Sequence, residues 1–167
     1  MQSILVSNRA SSPYLSVPRH TPETAKSRLQ CAHEVSVDYR FVMMLNSYRV
    51  SGGLARVPEV VALFKRHGRS DVATLASWID NREVLSFEWQ SQTWLPLFQF
   101  NRFDMTPRPE LGQVLAELTS VYGPWELANW FAQPNPWLVD RTPADMLGSD
   151  LPAVLNASRA DRFIANG

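Results

Sequence analysis

The chain has one cysteine, Cys31, no net charge and no long apolar run. A single cysteine excludes an internal disulfide and suits a reducing compartment. Sixteen basic residues balance sixteen acidic ones among 167, so no global field draws the protein to phosphate or anionic lipid. Nucleic-acid binding would need a local patch. No stretch approaches the ~20 apolar residues of a membrane span. The opening "MQSILVSNRASSPYLSVPRH" also holds too short an apolar run for a signal peptide. The expectation is a soluble cytoplasmic protein without a membrane partner.

Chemistry-bearing constellations are equally scarce. His20, His33 and His67 are scattered, and Cys31-x-His33 is only half of a zinc pattern. Ser51-Gly52-Gly53 lacks the lysine and hydroxyl residue of a phosphate loop and reads as a helix stop. Carboxylates occur singly, beside caps or arginines, rather than paired for acid/base work. No catalytic residue, metal or cofactor is expected, and a binding protein is favoured over an enzyme.

Aromatic residues are plentiful, with six tryptophans and eight phenylalanines available for a core or an interface. Residues 1 to 20 are rich in Ser, Pro and Arg without periodicity, which suggests a mobile arm. Thr21-Pro22 reads as a helix start. Val37, Phe41, Met44, Leu45 and Tyr48 then recur at helical spacing, in one long helix or two with a break near His33. Val57, Val60, Val61 and Phe64 form one apolar stripe, and Val72, Leu75, Ala76 and Ile79 form another. The link His67-Gly68-Arg69-Ser70 makes these two a helix-turn-helix-like pair.

Leu85, Phe87 and Trp89 change to strand spacing, and a second run through Trp94, Leu95, Leu97, Phe98 and Phe100 makes a hairpin, with Pro96 predicting an edge strand. This is the outline of a winged module. From 105 onward, four short helices joined by proline corners are expected, the third capped by Thr142 and the last by Asp150. The fold class is therefore mainly α: N-terminal helices with the helix-turn-helix-like pair and a short β-hairpin over 21–104, then a compact four-helix domain over 105–167.

A recognition helix over Ser70 to Arg82 would present Asp71, Thr74, Ser77, Asp80, Asn81 and Arg82. Two carboxylates on that face would repel phosphates, whereas Lys65, Arg66 and Arg69 gather at the turn. Any DNA contact is thus assigned to Lys65, Arg66, Arg69 and Arg82.

"NPWLVDRTP", residues 135 to 143, places Trp137 between Pro134, Pro136 and Pro143. Either the indole folds back into the helical core with Arg141 on a carbonyl, or the stiff corner is an interface anchored by Trp and Arg. The run "YGPWELANWFAQPNPWLVDRTPADMLGSDLPAVLNASRADRF" resembles the C-terminal toxin-binding domain of Xre/MbcA/ParS-family antitoxins. The matching residues are Trp130-Phe131, Pro134-Asn135, Trp137-Leu138, Arg141, Pro143, Asp145, Leu147 and Ala153-Val154-Leu155. A departure is Val139-Asp140, where family members often have glycines. The P-x-F-Q-F of residues 96–100 and the R-P-x-(x)3-V-L beginning at Arg108 are similar to the segment that precedes this domain, so the resemblance spans about 57 to 165.

The resemblance implies an antitoxin that covers the active site of a cognate protein toxin, typically a RES-domain enzyme that consumes NAD. It also implies a homodimer that represses its own operon. Toxin contacts are then expected from Trp130, Asn135, Trp137, Arg141, Arg159, Arg162 and Phe163. Arg159 and Arg162, three apart, share a helix face and either meet acidic groups or substrate-phosphate positions of the toxin, or simply solvate a helix end. The alternative is a DNA-binding transcriptional regulator that uses the helix-turn-helix without a toxin.

Overall fold

Prolines punctuate the chain in the one place a helix tolerates them. A computed structural model describes residues 38–68 and 72–167, and five of its helices carry proline in the first two positions, where the missing N–H would have no partner anyway. The arm over 1–20, the helix start at Thr21-Pro22 and the positions Arg69, Ser70 and Asp71 lie outside the described residues. In order come helical residues 38–48 (α1), β1 (Leu54–Arg56), α2 (Val57–Arg66), α3 (Val72–Asp80), β2 (Phe87–Trp89) and β3 (Gln92–Pro96). There follow α4 (Pro109–Leu118), α5 (Pro124–Ala132), α6 (Pro143–Met146) and α7 (Leu151–Asn166), with short 3-10 turns at Leu97–Gln99 and Pro136–Leu138. The protein is mainly helical, as its periodicity predicts.

The sheet corrects two expectations. β1 has only three residues and no alternation to announce it, yet it pairs with β3, so the order is β1-β3-β2 and all pairs are antiparallel. β3 is thus the central strand and not an edge. Pro96 is accommodated because it is the last residue of β3, opposite Leu54, and the next N–H, of Leu97, donates to Gly53 at 2.9 Å. The apolar run beyond Pro96 leaves the strand for a 3-10 turn. The hairpin turns at Gln90-Ser91, both left-handed (φ 47° and 57°), as a two-residue turn of this hand requires.

α1, β1, α2, α3, β2 and β3 in this order give the outline of a winged module. Its smaller apolar cluster takes Val60 and Phe64 from α2, Leu75 from α3, and Leu95, Phe100 and Met105. Val72 and Ala76 of the expected α3 stripe stay exposed. The larger cluster joins Phe41, Met44 and Tyr48 of α1 and Phe87 of the wing to Leu111, Leu118, Phe131 and Val154 of the C-terminal helices. The core is continuous across the 104/105 boundary, and residues 38–167 pack as one unit.

Candidate functional site

α5 ends at Ala132, and after Pro134 the chain turns through Asn135 into the 3-10 turn and back to Arg141. Asn135 organises the corner. Its Oδ1 accepts from the Trp137 N–H at 2.9 Å, its own N–H donates to the Arg141 carbonyl at 3.0 Å, and its carbonyl accepts from Leu138 and Asp140. The remaining donor, Nδ2, reaches Asp161 Oδ2 on α7 at 2.9 Å, and the Trp130 indole N–H reaches the same oxygen at 2.7 Å. One carboxylate oxygen therefore ties α5, the corner and α7 together.

Val139 and Asp140 both adopt left-handed backbone, with φ 56° and 57°. That conformation costs a β-branched residue most and would suit glycine. It also turns Val139 outward, where it is 88% exposed.

The indole of Trp137 lies outside the core. With its backbone held by Asn135, the indole stays 62% exposed instead of folding back into the core, and Arg141 is exposed beside it. Phe163 and Ile164 in the last turns of α7 are exposed too, at 82% and 66%. Large apolar side chains left in water on ordered elements mark a surface that gains from being covered.

Trp130 and Asn135 differ from this set. Trp130 is half-buried and packs edge-on against Phe131 at 5.0 Å, and Asn135 is 6% exposed, so both support the corner from behind. Sequence reasoning missed Asp161, whose importance lies in bonds to residues 26 and 31 positions away. It also missed Glu117. This α4 residue accepts from Arg159 Nε at 2.8 Å and pairs with Arg162 at 2.5 Å through its other oxygen. Arg159 and Arg162 do share a helix face, and both are partly solvated, but each is paired with Glu117 and is not a free cation. The Arg159 hydrogen bond above all, opposed by partial loss of water and helped by the charges of Arg162 and Arg159, holds the Glu117 carboxyl below its usual range.

Of the cations assigned to DNA, the described ones lie at the ends of the two helices. Lys65 and Arg66 are exposed at the end of α2, Arg69 is outside the described residues, and Arg82 follows α3 with φ 57°. α3 and the strands of the hairpin contain no Lys or Arg. Among the described residues, no group of three His, Cys, Asp or Glu is placed to hold a metal ion, and no helix is long and apolar enough to cross a membrane. Comparison with protein-family models, with curated proteins and with solved structures finds no match to this chain.

Proposed function

We propose that the chain is the antitoxin of a type II toxin-antitoxin system, and that the 135–141 corner with the last turns of α7 covers a RES-type NAD-consuming toxin. The observation that carries this reading is the exposed Trp137 on a backbone fixed by Asn135 and, through it, by Asp161. A pre-ordered aromatic anchor loses little entropy on binding, and Trp and Arg are the residues most often found at interface hot spots. The toxin contacts are Trp137, Arg141 and Phe163, with Trp130 and Asn135 as their support. Arg159 and Arg162 meet the toxin only around or in place of their pairing to Glu117. The role requires no catalysis and no cofactor from this chain.

The test is affinity capture from the native host with wild type and with a folded Trp137→Ala, Arg141→Ala variant. A co-purifying protein that depletes NAD when expressed alone, is neutralised by wild type and is lost with the variant is the expected result. A folded wild type that recovers no such protein would sink the reading.

A second reading, a DNA-binding regulator, is favoured by the winged order of elements. It places contacts at Lys65, Arg66, Arg69 and Arg82 and makes binding weaken steeply with salt. Arg66→Ala and Arg69→Ala should reduce that slope. Salt-insensitive or absent binding to the chain's own upstream DNA excludes it. Homodimerisation belongs to both readings and is checked by sedimentation equilibrium.

A further inference from the structure

We infer that the cleft bounded by Gly52, the 101–108 loop and the turn after α6 binds a small molecule carrying a phosphate or carboxylate on an apolar body. The cleft encloses about 500 Å³, within the range of small-ligand sites. It lies on the seam of the two apolar clusters, since Phe98 belongs to the larger and Phe100 and Met105 to the smaller.

Its charge is the informative feature. Arg102 and Arg108 both line it, and the ion pairs among the described residues engage only Arg56, Arg159 and Arg162. Arg108 is half-buried. Its Nε donates to the Phe100 carbonyl over 3.5 Å, which tethers the guanidinium, while no described residue accepts from its terminal nitrogens. A Cβ at Gly148 would stand 2.6 Å from Arg108 Nη1, so the glycine leaves the room that the guanidinium occupies.

A guanidinium cannot shed its charge, and partial burial without a counter-ion is unfavourable. An oxyanion on the open side would remove that penalty through paired N–H···O bonds. Asp145 is the carboxylate in the lining, and its Oδ2 already accepts from Thr142 Oγ1 at 2.7 Å; Asp104 of the bounding loop accepts from Thr106, so two guanidinium groups line the cleft against carboxylates that have other donors. Ser51 and Ser149 in the walls donate to the Tyr48 and Met146 carbonyls, which leaves their oxygens free to accept from a ligand hydroxyl. Phe98, Phe100 and Met105 beneath supply the apolar floor.

The experiment is a calorimetric and NMR titration of the full chain with phenyl phosphate, benzoate, inorganic phosphate and benzyl alcohol. Phenyl phosphate or benzoate is expected to saturate with shifts at the Arg108 Nε–H and the Met105 methyl, with inorganic phosphate weaker and benzyl alcohol silent. Which of the two aromatic anions binds tighter identifies the acid group. Arg108→Gln should weaken binding about tenfold or more, with Arg102→Gln, an exposed position that folding does not depend on, weakening it less. Arg40→Gln, at an exposed position outside the cleft, should leave this binding unchanged. Non-saturating titration of both aromatic anions, or binding that Arg102→Gln and Arg108→Gln leave intact, overturns the assignment. The cleft lining shares no residue with the toxin contacts Trp137, Arg141 and Phe163, so the two tests fail independently.

Discussion

Gln99 accounts for the motif in which it sits. Completely buried, it accepts from the Leu85 N–H at 2.7 Å and donates to the Leu85 carbonyl at 2.9 Å, standing in for a strand partner. Gln99→Leu keeps the volume but leaves two buried backbone groups unpaired, and should cost about 3 kcal/mol in urea unfolding. Val139 makes the opposite prediction. Its left-handed backbone is strained for a β-branched side chain that touches little, so Val139→Gly should raise stability by about 1 kcal/mol. An unchanged or lower denaturation midpoint would show that the valine is not strained.

At the scale of elements, α7 is held at two places. Towards its end, Glu117 of α4 binds Arg159 and Arg162. Because the folded-state pKa of Glu117 is lowered, this contact contributes fully above the ordinary value near 4.5 and is lost as pH falls through the folded-state value. Glu117→Gln should therefore be less stable than wild type at neutral pH, with the difference shrinking below about pH 4.5. Equal stability at both pH values would mean that the pair is fully offset by solvent.

The second hold is Asp161, which receives Trp130 and Asn135. Asp161→Ala leaves the buried Asn135 donor unpaired and should loosen the corner. Partner binding is expected to fall although no exposed residue of the corner has changed, with the Trp137 amide losing hydrogen-exchange protection. Retained protection in that variant would confine the corner's order to its local bonds.

Across the whole molecule, Tyr48 of α1 donates its phenol to the Ala128 carbonyl of α5 at 2.6 Å, spanning 80 positions of sequence, and stacks on Phe98 at 5.7 Å. Burial drives its pKa well above the ordinary value, so it stays a donor throughout the accessible pH range. Tyr48→Phe should cost about 1 kcal/mol and leave a single cooperative unfolding transition, because one apolar cluster joins the winged part to the C-terminal helices. Two separated transitions would mean that the parts on either side of residue 104 unfold independently.

Much of this was legible in the residues alone. Helical periodicity, proline at the first turn and the Thr142 and Asp150 caps are local signals, written within four residues of where they act, and they give the existence and order of α4 to α7, with Asp150 capping the last. The prolines around Trp137 mark residues 135–143 as a stiff corner by themselves. What lay beyond reach was every pairing between distant positions: β1 against β3, Gln99 against Leu85, Glu117 against two arginines of α7, Asp161 against Asn135. Three residues of β1 carry no period, and a single carboxylate in sequence does not say which donors will surround it. The sequence by itself determined where the helices start and stop, since these depend on backbone sterics and nearest neighbours. Only the tertiary structure decided that Trp137 faces water and that Arg108 lines a cleft with no ion pair to another described residue, because both follow from which distant groups packing brings within a few ångströms.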